Sequence, residues 1–379
     1  MWNSPVRAAV LGIAFVILFQ WFVVQGMGGN WTMWFYSGSK YPPPPDLVGT
    51  MYQFPNSLGF DGQFYFYIAR DFANARGTSA YVDFPPMRWM RALIPGGAAA
   101  LAFGNPDRVI YSYIGIVWGL CAFGIWLTAR ICRDWGYPAF AGLSFLAIPA
   151  VLVSLDRMMT DISLVVALLL FVYGMQREKP AWVYAALVLA PLARETGLAL
   201  AGGWVLYQAW RREWKAALFG CLATVPFLGW IAFVIAKFGS GGAFFLGSPF
   251  SGIVHRLLTP VIYDAPSAGL RLAASTDYVG ILGVAASFVL AIVLFARGER
   301  SVLMFCAIVY TLGIACFVKE DMWGEAYSYV RTGGPVALML ALLGAERRCW
   351  WLVVPMLLAL PRILFQYGLV SWAALRGWI

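Results

Sequence analysis

The chain has 379 residues, 61% of them hydrophobic and only 12% charged; a soluble domain carries about 25% charged side chains, so the apolar excess has to face lipid. A net charge of +9 would suggest nucleic acid in a soluble domain, but no nucleic-acid motif is present, and Lys and Arg kept in cytoplasmic loops account for it. Six scattered cysteines without a CxxC pair, and His255 as the only histidine, argue against a disulfide framework and a His-based zinc centre.

The first apolar run, 8–27, follows Arg7 and lacks a small-residue cleavage site, so it reads as a retained signal anchor with a cytoplasmic N-terminus. A long hydrophilic loop, 28–108, comes next. It holds the PPPP run at 42–45 and the stretch GFDGQFYFYIARD at 59–71. Asn30-Trp31-Thr32 matches a glycosylation sequon, a pattern short enough to recur by chance. Residues 88–103 (RWMRALIPGGAAALAF) are apolar but reach only about 24 Å as a helix, short of the ~30 Å hydrocarbon layer. They read as an interfacial or re-entrant helix.

Further apolar runs occupy 109–129, 138–155, 162–176, 181–193, 198–210, 216–236, 278–296, 301–318, 332–345 and 350–367, with a second long loop at 237–277. The expectation is an all-α polytopic membrane protein, a single transmembrane domain of about eleven spans. Assigning alternate sides puts Arg7, Arg130 and Arg133, Arg177 and Lys179, Arg211, Arg212 and Lys215, Arg297 and Arg300, and Arg347 and Arg348 on one side, as the positive-inside rule requires. The other side receives both long loops and the turns DRMMTD, RET and KEDMWGE. Runs of roughly 13 to 15 residues reach only about 20 Å. The RET turn and, to a lesser degree, DRMMTD are therefore recessed, where charges must be paired or line a water-filled cavity.

Several residues on that side are candidates for chemistry. Asp61 reads either as a helix N-cap or as a general base that takes a proton from a hydroxyl. Gln63 and Tyr65 follow it. Asp156 and Arg157 read as an ion pair at a helix end, and Asp161 as an N-cap; alternatively all three position an acceptor or a cation. Arg194 and Glu195 form either a local salt bridge or a phosphate site with its orienting carboxylate. Lys319, Glu320, Asp321 and Glu325 make the last external turn dense in charge. Arg331, read as opening a helix at 332–345, either snorkels to the interface or holds an anion at that helix N-terminus. No Walker motif, nucleophile elbow or DxD pair is present, which argues against a nucleotide-sugar donor. A transporter or flippase of a lipid-linked or anionic substrate is the main rival class; it would place ionisable groups nearer the membrane midplane and in repeated halves.

The order of these features resembles the GT-C glycosyltransferases, polytopic enzymes that use polyprenyl-phosphate-linked sugars. The resemblance is carried by GFDGQFYFYIARD with the following DFPPMRWMRALIP, by LDRMMTD and by LARETG, over about residues 1–210; beyond them only topology and YVRTGGP are similar. It is strongest to bacterial members with a DGQFYY-type motif. It implies an inverting sugar transfer to a cell-envelope glycan, lipid or protein, outside a bacterial plasma membrane. Asp61 would be the base, and Arg331, with Arg194 or Lys319, would hold the donor phosphate. Gln63, Tyr65, Asp156, Arg157, Asp161, Glu195, Glu320 and Asp321 would serve the acceptor or support these groups. Some members need Mg2+ or Mn2+; Asp61, Glu320 and Asp321 would be the ligands here. The sequence shows no obvious soluble C-terminal domain and no sequon-reading motif, which argues against an oligosaccharyltransferase and leaves the acceptor open.

Overall fold

A computed structural model describes residues 4–240, 247–263, 267–318 and 320–377, with the side chains of Glu320 and Asp321 excluded. The protein is mostly helical. The α-helices are, in chain order, α1 Pro5–Gly26, α2 Asp61–Arg70, α3 Pro85–Met90, α4 Leu93–Leu101, α5 Val109–Asp134, α6 Pro149–Arg157, α7 Asp161–Gln176, α8 Pro180–Ala193, α9 Leu198–Trp210, α10 Trp214–Leu222, α11 Val225–Phe238, α12 Ser251–Leu258, α13 Ala268–Ala296, α14 Val302–Ala315, α15 Glu320–Trp323, α16 Ala326–Glu346, α17 Val354–Leu358 and α18 Leu360–Arg376. Two-residue strands, Ser37–Gly38 and Gln53–Phe54, pair in parallel inside the first loop.

Four stretches among the described residues are long and apolar enough to cross a membrane: Pro5–Gly26, Pro106–Asp134, Trp214–Phe238 and Ala268–Ala296. The count becomes six if two bent pairs are each one span. Ala139–Ala147 and Pro149–Arg157 meet at 64°, and Trp350–Leu358 and Leu360–Arg376 at 46°. The protein is thus an integral membrane protein by helix length and composition, but the other expected spans are short helices, apart from α16, which has 21 residues but is not among the stretches apolar enough to count. α7, α8 and α14 are apolar without reaching span length. Pro149 and Pro361 sit in the first turn beyond each bend, where their missing N–H is harmless and a continuous helix is not favoured.

The helices sort into an inner and an outer set. α7 is buried on every face from Asp161 to Val172, and α16 is buried almost throughout its length. A helix apolar and enclosed all round belongs at the centre of a bundle. Large apolar side chains are instead exposed on α1 (Phe15, Leu18, Trp21), α10 and α11 (Leu218, Leu222, Leu228) and α18 (Leu364, Trp372). These are the surfaces that lipid would cover.

The central helices also have two chemically distinct ends. At one end, Arg177 after α7 pairs with Asp134 at the end of α5 at 2.7 Å. Tyr137 Oη donates to Ala345 O at 2.8 Å, and Arg347 pairs with Glu299. The loops rich in arginine therefore meet each other. At the opposite end lie the first residues of α2, α7 and α16.

The first long loop packs as a cap of short helices. The expected single helix over 88–103 is two, α3 and α4, broken at Arg91 and Ala92. The second loop is shorter than expected, since α11 runs to Phe238, α12 lies within it and α13 begins at Ala268. Asn30 of the chance sequon has a structural use: its Oδ1 accepts from the N–H and the hydroxyl of Thr32.

Candidate functional site

Asp61 does not cap α2. The helix begins at Asp61 itself after Phe60, and the aspartate makes no capping hydrogen bond. Its carboxylate turns to the arginines instead. Arg88 Nη1 lies 2.8 Å from Asp61 Oδ2. Arg331 Nη1 and Nη2 lie 3.3 and 3.2 Å from the same oxygen. Oδ1 has no hydrogen-bond partner among the described residues, and the side chain stays 20% exposed. One oxygen is therefore pinned by two guanidiniums while the other is left open.

The position of α2 is fixed by a close approach. A Cβ on Gly62 would lie 1.9 Å from the backbone oxygen of Arg157 and 3.0 Å from that of Phe35. Only glycine lets the first turn of α2 rest on the end of α6. Gln63 is fully buried and stitches the same corner, with Nε2 donating to Leu58 O at 3.0 Å and Oε1 accepting from Gly38 N–H at 3.3 Å. Both ends of its amide are committed to backbone, so it shapes the loop that carries Asp61.

Asp161 opens α7 as its first residue, after Thr160, and makes no cap either. It pairs with Arg194 and accepts from Arg331 Nη1 at 3.4 Å. Arg194 sits in extended backbone between α8 and α9 and also reaches Thr332 Oγ1 at 3.0 Å. The expected local pair of Arg194 with Glu195 is the weaker contact, at 3.8 Å. Glu195 instead forms a two-pronged pair with Arg91, at 2.9 and 2.8 Å, and Arg91 also donates to the Tyr65 hydroxyl. Burial raises the Glu195 carboxyl, but Arg91 outweighs it and pulls the group down to about 2. Burial likewise opposes ionisation of Asp61, and Arg88 and Arg331 outweigh it, holding that carboxyl well below the usual range.

Arg331 corrects a second expectation. The helix starts at Ala326, so Arg331 lies in its second turn and not at a helix N-terminus. The dipole argument for an anion there fails; the side chain is instead held by Tyr327 O, Asp61 and Asp161. Asp156 and Arg157 do form the expected ion pair at the end of α6, at 3.1 Å. Tyr327 Oη donates to Asp156 Oδ2 at 3.0 Å, and the Arg157 guanidinium lies 3.5 Å from the Tyr36 ring centroid. Among the described residues this pair forms no ion pair or hydrogen bond with Asp61, and Arg157 O packs beneath the first turn of α2.

The structure thus brings together Asp61, Asp161, Arg194, Glu195 and Arg331 from four separate segments, with Tyr65 beside them. Arg88 and Arg91 are the members that sequence reasoning gives no role. Their signal was two arginines three apart at the head of an apolar segment, a costly placement unless both are paired. Asp83 completes the group, binding Arg88 through two contacts at 2.8 and 2.6 Å. Lys319 and the side chains of Glu320 and Asp321 lie outside the described residues, and with them the expected metal set. Among the described residues no three His, Cys, Asp or Glu side chains group as metal ligands.

No protein-family model matches the chain, and neither a curated protein nor a solved structure is significantly similar to it.

Proposed function

We propose that the protein is a polytopic glycosyltransferase of the GT-C type. It moves a sugar from a polyprenyl-phosphate donor to a cell-envelope acceptor on the outer face of a bacterial plasma membrane, with its N-terminus in the cytoplasm. The eleven-span reading counts the short central helices as spans that stop below the outer surface. The observation that carries the proposal is the Asp61 carboxylate, with one open oxygen at the meeting point of buried arginines from three other segments. An open carboxylate oxygen suits a base, and paired guanidiniums suit a phosphate.

In this reaction the acceptor hydroxyl gives its proton to Asp61 Oδ1 as its oxygen attacks the anomeric carbon. The bond from that carbon to the phosphate oxygen breaks, the electron pair leaves with the polyprenyl phosphate, and the configuration inverts. Arg331 and Arg194 meet the charge that grows on the leaving phosphate. Asp161 keeps both cations in place, and Glu195 and Tyr65 hold Arg91 beside them.

The reading is tested by replacing the native copy with Asp61→Asn at equal membrane abundance and comparing envelope glycans. Loss of a specific glycosylated product is expected. Unchanged glycans would remove Asp61 as the base, and substrate flux into vesicles carrying the purified protein would favour a transporter.

A further inference from the structure

The hydrogen bonds of the network are unevenly shared. Arg88 is anchored on Asp83 at 2.6 and 2.8 Å, and Arg91 on Glu195 at 2.8 and 2.9 Å. Arg331 has no such anchor. Its contacts to carboxylates are 3.2 and 3.3 Å to Asp61 and 3.4 Å to Asp161, and Asp161 is already taken by Arg194. Arg331 is therefore the arginine of the network with the longest carboxylate contacts, and Asp61, 20% exposed against 3% for Asp161, is its more accessible partner.

We infer that Asp61 stands in for a phosphate: its carboxylate occupies the anion position on Arg331 in the resting protein, and an incoming phosphate exchanges with it. This deepens the proposed function and rests on it.

Charge and sterics both favour the exchange. Arg88, Arg91, Arg194 and Arg331 balance Asp61, Asp83, Asp161 and Glu195, so the resting group is neutral. A phosphodiester monoanion replaces the carboxylate on Arg331 charge for charge, and in the reaction the negative charge that Asp61 loses to the acceptor's proton reappears on the leaving polyprenyl phosphate. Gly62 pins the helix backbone against Arg157 O, so the exchange is a swing of the Asp61 side chain and needs no movement of α2. Arg88, held by Asp83, stays behind as a fixed wall. Release from Arg331 also makes the carboxylate a stronger base. The base thus gains strength only when donor is present, which suppresses proton transfer in the empty site.

The test is a binding measurement on the full chain in nanodiscs, with farnesyl phosphate, inorganic phosphate and farnesol as probes. Asp61→Asn, which removes the charge but keeps the shape, is expected to bind farnesyl phosphate at least tenfold more tightly than wild type. Adding Arg331→Gln is expected to abolish the gain. Equal or weaker binding by Asp61→Asn, with Arg331-dependent binding by wild type, overturns the exchange and leaves the glycosyltransferase reading standing. An equal gain for inorganic phosphate without any preference for the lipid supports the exchange and counts against a lipid donor. Binding of farnesol as tight as that of farnesyl phosphate overturns both, as does failure of both chains to bind any phosphate. If Asp61→Asn does not fold, a structure of the wild type with farnesyl phosphate decides. Phosphate on Arg331 with Asp61 beyond hydrogen-bond distance supports the exchange; an intact Asp61–Arg331 pair overturns it.

Discussion

The difference between the two oxygens of Asp61 is the finest detail on which the proposed chemistry depends. Oδ2 is held by Arg88 and Arg331, and Oδ1 remains open. Arg331 has to reach Asp61 and Asp161 at once, which a planar fork does and a single ammonium does not. Arg331→Lys is expected to leave the protein folded and lower transfer at least tenfold in a glycan-transfer assay; unchanged transfer would remove the phosphate role. Arg331→Met leaves Asp61 and Asp161 without that cation, and breaking a buried pair in this way costs about 3–5 kcal/mol. A lower thermal midpoint in detergent is the readout.

Protonation of Glu195 is coupled to stability in a definite direction. Its folded value is lowered from 4.5 to about 2 by Arg91. A depressed carboxyl stabilises the fold fully above its unfolded value and loses that contribution as pH falls through the folded one. Stability of the wild type should therefore decline between about pH 4.5 and 2. Glu195→Gln should start less stable at pH 7 and show a shallower decline across that window, followed by thermal unfolding. An identical acid limb in both proteins would contradict the assignment.

At the level of elements, the seating of α2 on α6 is the joint that places Asp61, the proposed base. A methyl at position 62 would collide with two backbone carbonyls, neither of which can rotate away as a side chain would. Overpacking of this kind costs about 1–3 kcal/mol. Gly62→Ala is expected to lower the thermal midpoint and to reduce transfer although it touches no charged group; wild-type values for both would show that the joint is loose.

The same joint marks the limit of what the sequence makes legible. Apolar periodicity and length locate α1, α5, the end of α13 and the short central helices well, because lipid and bundle core both demand continuous apolar runs; the start of α13 at Ala268 lies ten residues before the expected run. Positive charge in alternate loops indicates which helix ends meet. Partner choice is not visible in this way. Arg194 and Glu195 are adjacent in sequence, yet each finds its main partner more than 30 residues away, Asp161 and Arg91. Extended backbone at Arg194 aims neighbouring side chains differently. Arg331 is misread for a related reason. The polar run Ala326–Arg331 looks like loop but is helical, since Asp277 accepts the Ala326 N–H at 3.0 Å and Tyr329 reaches Asp277 O. A tertiary partner on α13 starts that helix earlier than its composition suggests.

On the scale of the whole molecule, the charged network and the arginine-rich loops occupy opposite ends of the central helices. Single cysteines are the probe for this arrangement in a membrane, in a background with the native thiols replaced. Ser57→Cys in the loop before α2 and Glu178→Cys in the loop after α7 should react with an impermeant maleimide from opposite sides of intact cells, Ser57→Cys from outside. Labelling of both from one side would break the proposed topology.

The most direct measurement of the central claim is donor turnover. Purified wild type and Asp61→Asn are given polyprenyl-phosphate-linked sugars together with an envelope extract as acceptor, and released polyprenyl phosphate is followed by mass spectrometry. Release with one of these donors, at least a hundredfold slower in Asp61→Asn, is the expected result. Equal release by both proteins, or no acceptor-dependent release from any lipid-linked sugar, would contradict it.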